Sequence, residues 1–248
     1  MQRYYIDSIK IDICNDSTYI TDVPIVQFLN DMKVLKLNQD VTFIVGENGI
    51  GKSTLVEAIA TCAGYNAEGG SKNFDFETRQ TVSSLNHYIN VIKKAYEKDG
   101  FFLRAETFYN VASQVDDLQL DLEGYGGKSL HKQSHGESFL SIIKNRFRGN
   151  GLYILDEPES ALSPLSQLGL LAEINRLVNE NSQLIITTHS PILLAFPNAV
   201  IYQVTLDGIE KISYEDCEHY KLTKQFLDNP KHFIKHLFDD TNSNQREG

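Results

Sequence analysis

One stretch constrains this chain more than any other: Gly46-Glu47-Asn48-Gly49-Ile50-Gly51-Lys52-Ser53-Thr54 fits G-x-x-x-x-G-K-[ST]. The apolar, β-branched run Val41-Thr42-Phe43-Ile44-Val45 precedes it and predicts a buried strand. Leu55-Val56-Glu57-Ala58-Ile59-Ala60 follows and predicts the first turns of a helix. Strand, glycine loop and helix in that order form the setting of a phosphate-binding loop. Glycines let the backbone curl until its N–H groups point at phosphate oxygens. The helix N-terminus adds partial positive charge. Lys52 is expected to reach the β- and γ-phosphates of a nucleotide, and Ser53 to ligate Mg²⁺.

The rest of the chain alternates strand-like and helix-like segments, which predicts an α/β P-loop NTPase with a mainly parallel core sheet. Phe101-Phe102-Leu103-Arg104-Ala105, Leu152-Tyr153-Ile154-Leu155 and Leu184-Ile185-Ile186-Thr187-Thr188 read as further strands. Antiparallel additions are expected from a half-exposed strand over residues 3–13 and from a hairpin turning at Asp207-Gly208. Residues 23–35 fit either a strand pair or a short helix. Val82, Leu85, Ile89, Ile92 and Tyr96 recur at steps of three and four, so residues 81–98 read as an amphipathic helix ended by Gly100. Residues 137–147 read as another helix. Ser163-Pro164 is a good helix start, with Leu168, Leu171, Ile174, Leu177 and Val178 as its buried stripe. Residues 216–238 look helical, and 239–248 look like a flexible polar tail. One domain is expected over 1–248, with residues 66–150 as a mostly helical sub-lobe.

Composition narrows the function classes. The chain has 248 residues and a formal net charge of −10, so it does not attract nucleic acid or anionic lipid as a whole. Lys128, Lys132, Lys144, Arg146 and Arg148 are a local basic excess. Cys14, Cys62 and Cys217 show no metal spacing, and an odd, scattered set points to a reducing compartment. The first residues lack a signal-peptide apolar region, and no run approaches the ~18–20 apolar residues of a membrane span. The expected location is cytoplasmic.

Three further constellations fit the phosphate loop. The strand at 152–155 delivers Asp156 and Glu157 to the sheet's C-terminal edge. Asp156 there can hold Mg²⁺ with Ser53, and Glu157 can polarise an attacking water. His189 stands at the end of the next strand, where it can touch the γ-phosphate or hold the water in line. Ser134-His135-Gly136-Glu137-Ser138 opens a helix. It reads as a capping box, and such an N-terminus also binds anions.

Taken together, these motifs resemble the ATP-binding-cassette (ABC) ATPase superfamily. The matching residues are 46–54 for Walker A, 134–138 for the signature loop and 152–157 for Walker B, with Ser160-Ala161-Leu162-Ser163 as D-loop and His189 as switch histidine. The resemblance implies ATP and Mg²⁺ as ligands, ATP hydrolysis, and an ATP-dependent homodimer packed head to tail. Ser134 and Gly136 of one copy would then close on the γ-phosphate held by the other. Departures are visible. The signature glutamine is replaced by Glu137, and Glu106 stands where the Q-loop glutamine is expected. Glu106 is carried over as its substitute on water or Mg²⁺. Tyr19 is upstream at a plausible distance for stacking on adenine.

Glu159 after Pro158, and Thr187-Thr188-His189-Ser190-Pro191, look more like the non-transport branch: chromosome-maintenance and recombination-repair ATPases and small stand-alone bacterial relatives. Only residues 107–133 separate Glu106 from Ser134, and a two-helix excursion sharing them reaches at most about 20 Å at ~1.5 Å per residue. No long coiled-coil arm fits there. The partner class stays open: DNA, as in repair or phage defence; a membrane transporter using this chain as its nucleotide-binding subunit; or a protein regulated by an ATPase switch.

Overall fold

A computed structural model describes residues 4–12, 19–71, 84–108 and 135–244. In chain order come strand β1 (Ile6–Ile11), helix α1 (Pro24–Met32), β2 (Val34–Lys36), β3 (Val41–Gly46) and α2 (Lys52–Ala63). Next are β4 (Ile89–Lys93), β5 (Asp99–Arg104), α3 (His135–Arg146), β6 (Gly151–Asp156) and α4 (Pro164–Asn179). The chain then forms β7 (Gln183–Thr187), the short α5 (Pro191–Leu194), β8 (Val200–Thr205), β9 (Gly208–Ile212), α6 (Glu218–Asp228) and α7 (Pro230–Asn244).

The main sheet has the order β5-β6-β7-β3-β8-β9. Its first five strands are parallel, and β9 adds an antiparallel edge through the expected hairpin. Parallel strands covered on both faces must be apolar on both, and β3, β6 and β7 are buried at every position. Alternate residues feed two cores. Phe43, Leu103, Tyr153, Leu155 and Ile186 face the side carrying α3 and α4. Ile44, Phe102, Ile154 and Ile185 face α2 and α1. A second, antiparallel sheet of order β2-β1-β4 packs into this latter core. The fold is therefore an α/β P-loop NTPase with a mostly parallel sheet and antiparallel additions.

Buried Gln183 joins the two sheets. Its Oε1 accepts the N–H groups of Tyr5 and Ile6 at 2.8 Å, and its Nε2 donates to the carbonyls of Ile6 and Leu37 at 2.9 and 2.6 Å. Both amide protons and the oxygen are satisfied, so a polar side chain is tolerated in a dry place.

Several expectations change. The helix over 81–98 is absent from the described part of that segment. There the chain makes a 3-10 turn at Ser84–His87, then β4, which pairs antiparallel with β1 through Ile89↔Ile11 and Val91↔Ile9. Val91 and Ile92 are β-branched and suit a sheet, and tertiary pairing overrides the helical spacing. Tyr96 from the expected stripe is 86% exposed. Gly100 lies within β5, where a Cβ would sit 1.9 Å from the Tyr65 hydroxyl. β1 is almost wholly buried rather than half-exposed, because α1, β2 and β4 cover it. Residues 23–35 resolve as α1 plus the start of β2.

Ser163 caps α4 as expected, its Oγ accepting the Ser166 N–H at 3.2 Å. The buried face of α4 is rotated, however: Gln167, Leu170, Ile174 and Leu177 are inside, while Leu168 is 54% exposed. The 216–238 segment is two helices, broken at Asn229-Pro230 because proline cannot continue a hydrogen-bonded turn. The second of them runs on to Asn244, into the expected tail. Ser134, Cys14, Lys128 and Lys132 lie outside the described residues, and of Tyr19 only the backbone is described.

Candidate functional site

β3, β6 and β7 are neighbours and parallel, so the loops after them meet at one edge of the sheet. That edge, outside the carboxyl ends of the strands, is where open α/β sheets bind ligands. Three of the sequence motifs come together there for this reason.

The phosphate loop requires its glycines. Gly51, the residue before α2, has φ 103°, and a Cβ there would fall 2.5 Å from Val23 Cγ1 and 2.6 Å from Ile25 Cγ2. At Gly46 a Cβ would sit 2.5 Å from the Val204 carbonyl oxygen. The loop thus threads between α1 and β8 with no room for side chains at either position. Lys52 starts α2 with only 3% of its surface exposed. Its Nζ donates to the carbonyls of Gly46 and Glu47 at 2.8 and 2.9 Å and lies 4.0 Å from Glu157 Oε1. Burial lowers the Lys52 pKa, and the carboxylates of Glu157, Asp156 and Glu159 oppose that fall.

Asp156 ends β6. Its Oδ1 accepts the hydroxyls of Thr187 at 2.6 Å and Ser53 at 3.1 Å. Arg104 Nε lies 3.4 Å from Asp156 Oδ2, while the same guanidinium donates to Glu57 Oε2 at 2.9 Å. Burial raises the Asp156 pKa; the Thr187 hydroxyl, Arg104 and the Ser53 hydroxyl work against it. The Ser53–Asp156 pair opens onto a cleft of about 340 Å³ that Ala105, Glu106, Glu157 and Ser160 also line. An all-oxygen donor set suits Mg²⁺. The 3.1 Å between Ser53 Oγ and Asp156 Oδ1 approaches the ~3 Å edge of an octahedron with ~2.1 Å bonds. The residues present therefore fit the ion.

Glu157 has φ 47° and ψ 53°, a left-handed conformation costly for a non-glycine residue. Its N–H is held by both the carbonyl and the hydroxyl of Thr187, at 3.2 and 3.0 Å. In that conformation the carboxylate lies beside the phosphate loop, its Oε1 4.0 Å from Lys52 Nζ. His189 Nε2 lies 3.4 Å from Glu157 Oε1. Lys52, Glu157 and His189 thus form one short line of charge and hydrogen-bonding groups. Glu106 reaches the cleft but is 84% exposed, with Arg104 Nη2 at 3.7 Å. Gly136 sits in the first turn of α3, where a Cβ would be 3.0 Å from the Ala161 carbonyl, so the signature-like segment packs on the D-loop-like one.

Four contributions to the site escaped sequence reasoning, two of them from Glu159 and Thr187, which the sequence marks only as signs of a branch. Thr187 holds Asp156 and Glu157 together, Arg104 links Asp156 to α2, Glu159 fastens the loop of His189, and His219 touches the His189 ring. Glu159 after Pro158 and the threonine pair before the histidine were the visible hints. His219 lies 30 residues further on, in another element, and carried no signal. The basic excess is weaker than its sequence implies. Arg146 is taken up by Asp99 at 2.7 Å, and Asp99 also accepts the Arg148 N–H. Among the described residues no helix is long and apolar enough to cross a membrane. A larger hollow on α6 and α7, near Gln225, His232 and Phe233, contains none of the motif residues.

Comparisons with known proteins agree with this geometry. The family model AAA_23, described as an AAA domain, matches residues 25–203. An uncharacterized ABC transporter ATP-binding protein of Haemophilus influenzae is 31% identical over a 124-residue alignment that covers 48% of this chain. The match spans 46% of that relative, so the chain corresponds to about half its length. Among solved structures, cbiO1 of Clostridium perfringens, part of an ABC transporter complex, is 17% identical with a TM-score of 0.48, covering 95% of this chain and 99% of that one. The SMC head domain of Thermotoga maritima is 13% identical with a TM-score of 0.43, covering 85% and 99%. At those scores neither likeness bears on the branch. The chain belongs to the AAA_23 family, described as an AAA domain, and is an ATP-binding P-loop ATPase domain.

Proposed function

We propose that this chain hydrolyses ATP as a compact switch, and that ATP closes two copies head to tail. The observation that carries this reading is the convergence of Lys52 Nζ, Glu157 Oε1 and His189 Nε2, at 4.0 and 3.4 Å, beside the Ser53–Asp156 pair. The nucleotide phosphates lie against the loop amides of residues 46–54. Lys52 exchanges its contacts with the Gly46 and Glu47 carbonyls for the β- and γ-phosphates. Glu157 orients the attacking water and takes its proton. His189 Nε2 donates to a γ-phosphate oxygen and keeps Glu157 in line. Ser53 and Asp156 would hold Mg²⁺, which supplies neutralisation of phosphate charge when bound. Glu106 stands at the mouth of the same cleft as a partner for water. Ser134 and Gly136 act across the dimer, on the nucleotide of the other copy.

The non-transport branch is favoured by Glu159, whose carboxylate is engaged on the loop of His189, and the short 107–133 segment favours a compact member without a coiled-coil arm. Repair, chromosome maintenance or phage defence are the roles that branch implies, with a regulated protein partner in place of DNA as the variant. A transporter subunit is the second reading, favoured by the likeness to the Haemophilus ABC transporter ATP-binding protein. Co-purification with a multispan membrane protein selects it. The deciding experiment for the main reading is phosphate release from Mg-ATP by the wild-type chain and by Glu157→Gln. Release by the wild type, lost in the variant, is expected. Equal rates in the two would defeat the assignment of Glu157.

A further inference from the structure

The loop of His189 is gripped from the C-terminal side of the chain. Cys217 is fully buried in the core on the α3 and α4 side of the main sheet, and Tyr214 donates its hydroxyl to the Pro191 carbonyl at 3.0 Å. The first turn of α6 is fastened to β8 by the Glu218 N–H, which donates to Gln203 Oε1 at 3.1 Å. These anchors bring His219 onto the ring of His189. His219 Nε2 and His189 Nδ1 are 2.8 Å apart, with the rings edge to face at 4.9 Å.

We infer that His219 is a positioning residue for hydrolysis: its Nε2–H donates to His189 Nδ1 and thereby fixes the His189 proton on Nε2, facing the γ-phosphate. The inference rests on the role proposed above for His189. The argument is one of hydrogen-bond polarity. A neutral imidazole has one donor and one acceptor, and the partner of one nitrogen decides the state of the other. Were His189 the donor from Nδ1, its Nε2 would present a lone pair to the Glu157 carboxylate 3.4 Å away. Two lone pairs facing each other in a half-buried site are unfavourable, so the opposite polarity wins. His219 can fill the donor role while neutral. Burial lowers its pKa, and the nearby His189 and Lys52 lower it further. Its own Nδ1 then has the Cys217 thiol 4.0 Å away.

Two substitutions separate hydrogen bonding from packing. His219→Phe fills the space without a donor, and His219→Gln keeps an N–H at similar reach. Phosphate release, ATP affinity by calorimetry and melting temperature are measured for both, with His189→Ala as reference. His219→Phe is expected to lower kcat roughly tenfold, in the range of lost outer-shell orientation, with ATP affinity and Tm unchanged. His219→Gln is expected to recover most of that loss. In ¹⁵N-histidine-labelled wild type, His189 should show the Nε2–H tautomer, and His219→Phe should shift it toward a mixture. Equal kcat for the Phe and Gln variants would overturn the inference, as would an Nδ1–H tautomer in the wild type. Loss of turnover in His189→Ala but not in His219→Phe sinks this inference alone. Full turnover in His189→Ala sinks the role of His189 and this inference with it.

Discussion

Glu159 accepts the backbone N–H of His189 through one carboxylate oxygen, and the Thr188 hydroxyl at 2.8 Å through the other. The two residues come from loops after different strands, β6 and β7. Burial raises the Glu159 pKa, while the His189 amide and Thr188 hydroxyl oppose the rise. The contact sets where the His189 ring stands relative to Glu157. Replacing Glu159 with alanine should lower kcat for phosphate release roughly tenfold, the order expected for slight misplacement of a reacting group. ATP affinity should hold. A matched loss of affinity in calorimetry would mean that this loop binds nucleotide rather than orienting the histidine.

Lys52→Ala removes the buried ammonium that the loop carbonyls hold at 2.8 and 2.9 Å. Calorimetric titration with ATP should show binding abolished. Unchanged binding would refute the assignment of the loop as the nucleotide grip.

Glu157→Gln keeps the shape of the side chain and removes its basicity. ATP should then bind and remain intact, so the closed pair should accumulate. Light scattering of the variant in Mg-ATP is expected to report twice the mass seen without nucleotide. A variant that stays monomeric with ATP bound would count against head-to-tail closure.

Gly51→Ala forces a Cβ into a left-handed position, 2.5 Å from Val23 Cγ1 and 2.6 Å from Ile25 Cγ2. Strain of this kind costs about 1–3 kcal/mol. In a chain of this size each kcal/mol is worth about 2–4 °C in Tm. Thermal melts followed by circular dichroism should show that loss. A variant melting with the wild type would show that the loop relaxes without resistance.

Asp99 accepts Arg146 at 2.7 Å, the Arg148 N–H at 3.0 Å and the Tyr153 hydroxyl at 2.8 Å. Burial raises its pKa, but these contacts outweigh burial and hold it below the ordinary aspartate range overall. A carboxylate whose pKa is depressed by folding contributes stability above its unfolded pKa and loses it as pH falls through the folded one. Asp99→Asn should therefore cost about 2–3 kcal/mol at neutral pH. The gap between variant and wild type should close only as pH drops below the ordinary carboxylate range. Denaturant unfolding at a series of pH values measures it, and a gap independent of pH would deny the ionic contribution.

Local chemistry determined a good deal of this protein by sequence alone. Gly46, Gly51, Lys52 and Ser53 lie within one short stretch, and their spacing specifies a loop whatever surrounds it. Asp156 and Glu157 follow an apolar strand directly, and Ser163-Pro164 caps its own helix, so each reads from its neighbours. Tertiary structure decided the rest, because the deciding partners are distant in the chain. Ile89–Lys93 carries helical spacing yet becomes a strand, since β1 offers it a ladder of hydrogen bonds and a buried face. Leu168 falls on the apolar stripe of α4 yet stays exposed, because the register of the helix on the sheet turns Gln167 and Leu170 inward. The contacts of Glu159 and His219 with His189 each span 30 residues and exist only once the loops after β6 and β7 and the start of α6 meet at one edge of the sheet. Pairings of that kind depend on the relative placement of whole elements, which burial of both faces of the sheet fixes and no local pattern encodes.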